Sequence, residues 1–246
     1  MKNYISGKVV LLTGGTAGFG LASAELLLEL GAQVAITGRN PERLQAAAKR
    51  LASERLLAVR ADAVRTADWQ DTLRQTLDRF GRIDALVNNH GAGVKIAEIE
   101  QMSDDDIQTV LDINLTSVIK GCRAVIPVMK GQQGGHIVNV SSGCAYHSWP
   151  QWGIYTAAKA GLVGFTRCLH LEMAAWGGKA TSFIPGAART SFCQAAGIDD
   201  GWQAGYPSAE DFARTLVHCL DVPEGTVIEE VSLWGTKQIQ DMLVPF

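Results

Sequence analysis

Short, continuous apolar runs recur along this chain and alternate with segments of helical length. Val9-Val10-Leu11-Leu12, Val34-Ala35-Ile36, Ala85-Leu86-Val87 and Ile137-Val138-Asn139-Val140 are the clearest runs. Their apolar residues follow one another instead of alternating with polar ones, which is how strands covered on both faces read. Leu56-Leu57-Ala58-Val59 and the stretch around Ser182-Phe183-Ile184 read as further strands. Residues 19–30, 41–52, 66–80, 104–129 and 153–176 carry helical patterns. Strand, helix, strand, helix from end to end predicts an α/β fold: a doubly wound parallel sheet with helices on both faces. No Pro/Gly/Ser-rich linker, low-complexity tract or short repeat divides the chain, so residues 1–246 are expected to form a single domain. Residues 187–207 break the rhythm and read as a loop or loose helical lid over a ligand. A last strand is expected at Val227-Ile228-Glu229-Glu230-Val231. The apolar end at Phe246 is expected to dock on its own core or on a neighbouring subunit.

Composition narrows the possible partners. Of 246 residues, 47% are hydrophobic and 19% charged, enough for a sizeable core. Lys plus Arg (22) against Asp plus Glu (25) leaves a net charge of −3, so neither nucleic acid nor an anionic membrane is an expected partner. No apolar run approaches the ~20 residues of a membrane helix, and the first residues lack the apolar core of a secretory signal. Five cysteines without a C-x-x-C pair read as free thiols in a reducing cytoplasm, with no metal site.

Thr13-Gly14-Gly15-Thr16-Ala17-Gly18-Phe19-Gly20 follows the first apolar run and opens the first helix. A strand ending in glycines lets the backbone approach a pyrophosphate. The helix start then offers unpaired N–H groups and a positive dipole end. Strand, turn and helix in this order read as the dinucleotide-binding half of a Rossmann fold, the alternative being a plain tight turn. At the end of the second strand, Gly38 and Arg39 stand where an acidic residue would hold the ribose hydroxyls of NAD(H). A carboxylate would repel a 2′-phosphate, whereas a guanidinium forks onto one, so NADP(H) is favoured over NAD(H). Asp62, after the third strand, is placed to meet the adenine edge.

Tyr155 and Lys159 lie one turn apart on one face of a helix, at the edge of the apolar stripe Ile154, Ala158, Leu162, Phe165, Leu169. An ammonium ~4 Å from a phenol at an effective dielectric of ~20 contributes ~4 kcal/mol toward phenolate. Such a pair can exchange protons near neutral pH. Ser141-Ser142 and Asn88-Asn89-His90-Gly91 end two strands at one sheet edge, where ligands of parallel sheets sit. Asn114 interrupts the apolar stripe Ile107, Val110, Leu111, Leu115, Val118 and needs buried partners. Ser103-Asp104-Asp105-Asp106 reads as a helix cap, so these aspartates are expected to be structural.

With these residues in hand, the chain resembles the short-chain dehydrogenase/reductase family, in its compact single-domain branch, over essentially its whole length. Thr13-Gly14-x-x-x-Gly18-x-Gly20 matches the family's cofactor motif. Asn88-Asn89-His90-Gly91 matches Asn-Asn-Ala-Gly except at His90. Asn114, Ser142, Tyr155 and Lys159 match the catalytic tetrad, and Pro185-Gly186-Ala187-Ala188-Arg189-Thr190 matches Pro-Gly-x-x-x-Thr on the nicotinamide side. The resemblance implies that Tyr155 exchanges the proton with the substrate oxygen and Ser142 hydrogen-bonds that oxygen. Lys159 would lower the tyrosine pKa and grip the nicotinamide ribose, and Asn114 would order a water between Lys159 and solvent. The expected cofactor contacts are Gly14, Thr16, Gly18, Phe19, Gly20, Arg39, Asp62, Asn89, Gly91, Tyr155, Lys159, Pro185, Gly186 and Thr190. A homotetramer or homodimer is implied as well.

Two departures stand out. His90 either packs in place of a small residue or makes a polar contact to ribose or substrate. Val231-Ser232-Leu233-Trp234-Gly235-Thr236 stands where an Asp-Gly-Gly ending is usual, which bears on subunit arrangement. The substrate side is expected to be lined by Cys144, His147, Trp149, Trp152 and Arg189; two tryptophans there suggest bulky walls and a small or flat substrate. The leading expectation is hydride transfer between NADP(H) and a small polar alcohol or carbonyl compound. A 3-oxoacyl thioester reductase would need a basic docking patch, for which Lys120, Arg123, Lys130 and Arg167 are candidates. A non-catalytic nucleotide-sensing protein is the third reading; the intact Tyr155, Lys159 and Ser142 set argues against it.

Overall fold

The computed structural model describes residues 2–92, 95–190, 192 and 205–242. Among the described residues, seven parallel strands run in the order β3-β2-β1-β4-β5-β6-β7. They are β1 (Val9–Thr13), β2 (Gln33–Gly38), β3 (Leu56–Arg60), β4 (Ala85–Asn88), β5 (Gly135–Val140), β6 (Gly178–Pro185) and β7 (Glu230–Leu233). The order reverses between β1 and β4, and the crevice beyond the carboxyl ends there is the binding position of an open α/β sheet.

The continuous apolar runs are explained by two cores, one on each face. Val10, Leu12, Val87 and Val138 point to one, with Leu27, Leu44 and Phe212. Leu11, Leu86 and Ile137 point to the other, with Trp69, Val125 and Leu162. Helices α1 (Gly18–Glu29), α2 (Pro41–Leu51) and α7 (Ala209–Leu220) cover the first face. Helices α3 (Thr66–Phe80), α5 (Ser117–Gly131) and α6 (Gly153–Ala174) cover the second. A strand with apolar side chains on both pleat faces cannot be left bare on either, so helices on both sides follow.

Helix α4 (Asp104–Leu111) begins as read from the sequence: Ser103 and Asp106 form a reciprocal capping box. Asp106 also accepts from Lys95 at 2.6 Å, and these hydrogen bonds, Lys95's first, hold its carboxyl down to about 2. The expected unbroken helix over 104–129 is instead α4, a π-helical turn at Asp112–Thr116, and α5.

The last strand is also corrected. It is Glu230–Leu233, not 227–231, because the Ile228 carbonyl accepts from the Thr181 hydroxyl and the sheet register pairs Ser182 with Glu230. Helix α7 was not anticipated, although Ser208 and Asp211 form a second capping box at its start. After β7 comes α8 (Thr236–Met242). Of the expected lid at 187–207, residues 191 and 193–204 lie outside the described residues, as do Cys193 and the tail at 243–246.

Candidate active site

Helix α6 is locked to the sheet by buried polar contacts that set the height of Tyr155 and Lys159. Asn88 Nδ2 donates to Asn139 Oδ1 (2.9 Å), and Asn139 Nδ2 donates to Thr166 Oγ1 (2.9 Å). Ser141 Oγ donates to the Lys159 carbonyl (2.9 Å). Buried amides without partners would be costly; here they connect β4, β5 and α6.

Tyr155 is only 7% exposed and Lys159 3%. Lys159 Nζ donates to the Val140 carbonyl at 3.0 Å and lies 5.8 Å from the Tyr155 ring centroid. Burial pushes the Lys159 ammonium down to about 8, and the nearby Cys144 partly offsets this. Ser142 caps the short turn Gly143–Ala145, its Oγ accepting from Cys144 N at 3.2 Å.

Asn114 sits in the π-helical turn and is fully buried. Its Nδ2 donates to the carbonyls of Val110 (3.0 Å) and Ala92 (2.9 Å), and its Oδ1 accepts from Ala92 N (3.2 Å). The widened turn disturbs the local ladder, and the amide takes up the Val110 carbonyl. A Cβ at Gly91 would lie 3.2 Å from Asn114 Oδ1 and 3.5 Å from Lys159 Nζ. The strand-end loop therefore passes directly against both side chains.

On the other side of the crevice, α1 begins at Gly18 with no side chain capping its first amides. Gly14 (φ 67°) and Gly18 (φ 51°) hold left-handed backbone. A Cβ at Gly20 would collide with the Gly14 carbonyl and with Asn89 Nδ2. A tight glycine turn aimed at an uncapped helix start fits a pyrophosphate. Thr16 packs against Gly38, and Gly18 faces Thr190 across the crevice, 3.5 Å from its Cγ2 to a Cβ built on the glycine. Pro185 ends β6, and the Gly186 amide donates to the Leu233 carbonyl at 2.8 Å.

The side chains of several expected cofactor residues also make contacts within the scaffold. Phe19 stacks on Phe212 (4.9 Å between centroids). Asn89 Nδ2 donates to the carbonyls of Thr13 (3.1 Å) and Gly14 (3.2 Å), holding the glycine turn. Asp62 Oδ1 accepts from Val64 N at 3.1 Å, while Arg39 is exposed at the mouth of β2.

Around the phenol lies an apolar wall. Val110, Cys144 and Tyr155 form a buried cluster packed by Met102, Trp149, Trp152, Ile154 and Phe192. Trp152 meets the Tyr155 ring edge-on at 5.4 Å. Burial raises the Cys144 thiol, so it contributes as a small neutral side chain. His147 is exposed and stands edge-on to Trp234 (5.0 Å); Arg189 is exposed too, its backbone N–H donating to Pro207 O at 3.1 Å. Sequence reading missed the supports from the C-terminal segment. Trp234 fills the space beside Gly143 and Gly186, and Gln238 Oε1 accepts from Ala187 N at 2.9 Å. It also missed Met102 and Phe192, whose only signal is their apolar character, and placed Val110 only in its helix's apolar stripe.

Fold and crevice together define a dinucleotide-binding α/β domain with a tyrosine–lysine pair at its switch point. The short chain dehydrogenase family model matches residues 8–200, and the chain belongs to this family of oxidoreductases. An uncharacterised oxidoreductase of Staphylococcus epidermidis is 30% identical over 226 residues, 92% of this chain and 96% of the relative. Among solved structures, the closed form of a serine dehydrogenase complexed with NADP+ superposes with a TM-score of 0.87 at 27% identity, covering 94% of this chain and 96% of that one. A 3-ketoacyl-(acyl-carrier-protein) reductase from Brucella melitensis complexed with NADH gives 0.85 at 26% identity, covering 93% and 97%. Among the described residues, no helix is long and apolar enough to cross a membrane, and no group of three or more His, Cys, Asp or Glu is arranged to hold a metal ion.

Proposed function

We propose that this protein transfers hydride between NADP(H) and a small polar alcohol or carbonyl compound, with Tyr155 as the acid–base group. The observation that carries the reading is the buried Tyr155–Lys159 pair across the crevice from the uncapped start of α1. In the reduction direction, the Tyr155 hydroxyl donates its proton to the substrate oxygen and Ser142 Oγ hydrogen-bonds the same oxygen. The Lys159 charge supports the phenolate that remains, and Asn114 holds the loop against which Lys159 packs. The chemistry a bound nicotinamide would supply is hydride exchange with the substrate carbon. Gly14, Gly18 and Gly20 would bring backbone amides to the pyrophosphate; Arg39 would pair with a 2′-phosphate; Pro185, Gly186 and Thr190 would hold the nicotinamide end. The wall of Val110, Trp149 and Trp152 excludes water and takes an apolar flank of the substrate.

A 3-oxoacyl thioester substrate is less well supported. Two of the four candidate docking cations are engaged already: Lys120 Nζ donates to the Val64 carbonyl (2.8 Å), and Arg167 pairs with Glu230 (3.0 Å). The test is a panel of aldehydes, ketones, alcohols and one 3-oxoacyl thioester, followed at 340 nm with NADPH and NADH. Turnover of a small carbonyl with NADPH preferred is expected. A flat response to the whole panel, with NADPH bound, would favour a nucleotide sensor. The expected homodimer or homotetramer is part of the same reading, and light scattering on the purified protein decides it.

A further inference from the structure

We propose that His90 is a positioning residue whose imidazole ties the glycine-rich turn to the turn carrying Asn114. This fixes the loop that presents Gly91 and Ala92 to Lys159 and Asn114. The inference rests on the acid–base reading above and extends it to a residue outside the four it employs.

Both ring nitrogens of His90 are committed. Nδ1 lies 2.7 Å from Thr13 Oγ1, at the last residue of β1 beside Gly14. Nε2 lies 2.6 Å from Ser117 Oγ, at the first residue of α5. Ser117 Oγ in turn donates to the Ile113 carbonyl at 2.8 Å, inside the π-helical turn that carries Asn114. The hydroxyl of Ser117 has one proton, and with that proton on Ile113 O it accepts from Nε2–H. Nδ1 is then a bare acceptor for the Thr13 hydroxyl. The network thus assigns one tautomer and one direction: Thr13 to His90 to Ser117 to Ile113. The reverse direction would turn the Ser117 proton away from Ile113 and send the Thr13 proton to the Val87 carbonyl, at the longer distance of 3.2 Å.

This chain ties together parts that are distant in sequence. Thr13 Oγ1 also accepts from the backbone N–H groups of Asn89 (3.1 Å) and His90 (3.3 Å), so the strand-end loop is pinned at its start. The same loop is pinned two residues later, where Asn114 holds both the N–H and the carbonyl of Ala92. Gly91 lies between, against Asn114 Oδ1 and Lys159 Nζ. Movement of the Asn114 turn relative to β1 would therefore displace the packing of Lys159. A small side chain at position 90 would leave Thr13 and Ser117 without this link. Burial keeps the ring neutral, aided by the charges of Lys159 and Arg39, and a neutral ring is what the assigned chain needs.

The two halves of the bridge can be separated. His90→Asn places an amide oxygen near the Nδ1 position, restoring the Thr13 acceptor but falling short of Ser117. His90→Gln reaches Ser117 with an amide N–H but removes the acceptor at the Nδ1 position, so the Thr13 proton turns to the Val87 carbonyl. The full chain would be assayed as His90→Ala, His90→Asn and His90→Gln. The readouts are kcat and KM on the best carbonyl of the panel with NADPH, and the NADPH Kd by fluorescence titration. His90→Ala is expected to lower kcat about tenfold, the scale of one buried hydrogen bond, with the carbonyl KM little changed. His90→Gln is expected to recover kcat to within about threefold of wild type. His90→Asn is expected to leave kcat low while keeping the NADPH Kd within about twofold.

A kcat for His90→Ala within about twofold of wild type overturns the proposal, as does any result in which Gln does not exceed Asn in kcat. Should the Ala variant fail to fold, the Gln–Asn contrast decides alone. Histidine-selective 15N NMR of the wild-type protein is a readout independent of activity. A neutral Nε2–H ring at pH 6 is expected for His90, and an Nδ1–H or charged ring overturns the assignment. Full turnover in Tyr155→Phe would sink the acid–base reading instead. An inactive Tyr155→Phe with coincident Gln and Asn variants would sink only the role of His90.

Discussion

At the scale of single residues, chemistry here depends on what each side chain is denied. Lys159 is denied water, which brings its ammonium to about 8 and confines it to the Val140 carbonyl and the face of Tyr155. Cys144 is denied water as well and stays a thiol, so it lines the wall and does not compete as a nucleophile. Arg39, in contrast, is left exposed at the end of β2, where Gly38 packs close to Thr16. If it pairs with a 2′-phosphate, Arg39→Ala should raise the NADPH Kd about tenfold or more while leaving the NADH Kd within about twofold, the scale of a hydrogen bond to a charged group. Fluorescence titration with the two nucleotides checks this. Equal weakening for both would assign Arg39 to the shared part of the cofactor.

At the scale of elements, the strand–turn–helix at Val9–Glu29 and the helix carrying Tyr155 and Lys159 are the parts on which the candidate site depends. Gly20 is the tightest point, because any Cβ there meets the Gly14 carbonyl and the Asn89 amide that holds the turn. Gly20→Ala should cost about 1–3 kcal/mol of stability through overpacking and weaken NADPH binding. Thermal denaturation and nucleotide titration read the two effects, and a native-like variant on both counts would mean the turn relaxes freely. These elements were legible in sequence because a buried parallel strand and a helix start leave local marks. Others were not. The π-helical turn lies in a stretch whose apolar period runs on through Val110, Leu111, Leu115 and Val118, so one widened turn changes no spacing a reader can see. Helix α7 has a local signal in Ser208-x-x-Asp211, but a single capping box directly after the irregular stretch 187–207 does not by itself mark a helix. The partners of His90 were illegible for a different reason: Thr13 and Ser117 are brought to it only by the pairing of β4 with β1 and the packing of α5.

At the scale of the whole molecule, two cores grip one sheet, and buried polar side chains join the layers between them. Two histidines take part, His136 buried and His90 partly buried. Burial lowers both His90 and His136 from 6.5 to about 3, with nearby cations adding in each case. An unfolded chain binds protons at these positions below pH 6.5, whereas the folded chain does not until about 3. Their contribution to stability is therefore fully present above pH 6.5 and is lost as pH falls toward 3, at about 1.4 kcal/mol per pH unit for each histidine. Denaturant unfolding at pH 7, 6 and 5 should show this decline, and His136→Gln should reduce its slope. We propose above all that the fold brings an acid–base phenol to a bound dinucleotide. The most direct measurement compares wild type with Tyr155→Phe under single-turnover conditions with NADPH and the best carbonyl, alongside NADPH affinity. The account predicts unchanged affinity and a hydride-transfer rate lower by about hundredfold or more. A variant that binds NADPH and reduces the carbonyl at the wild-type rate would contradict it.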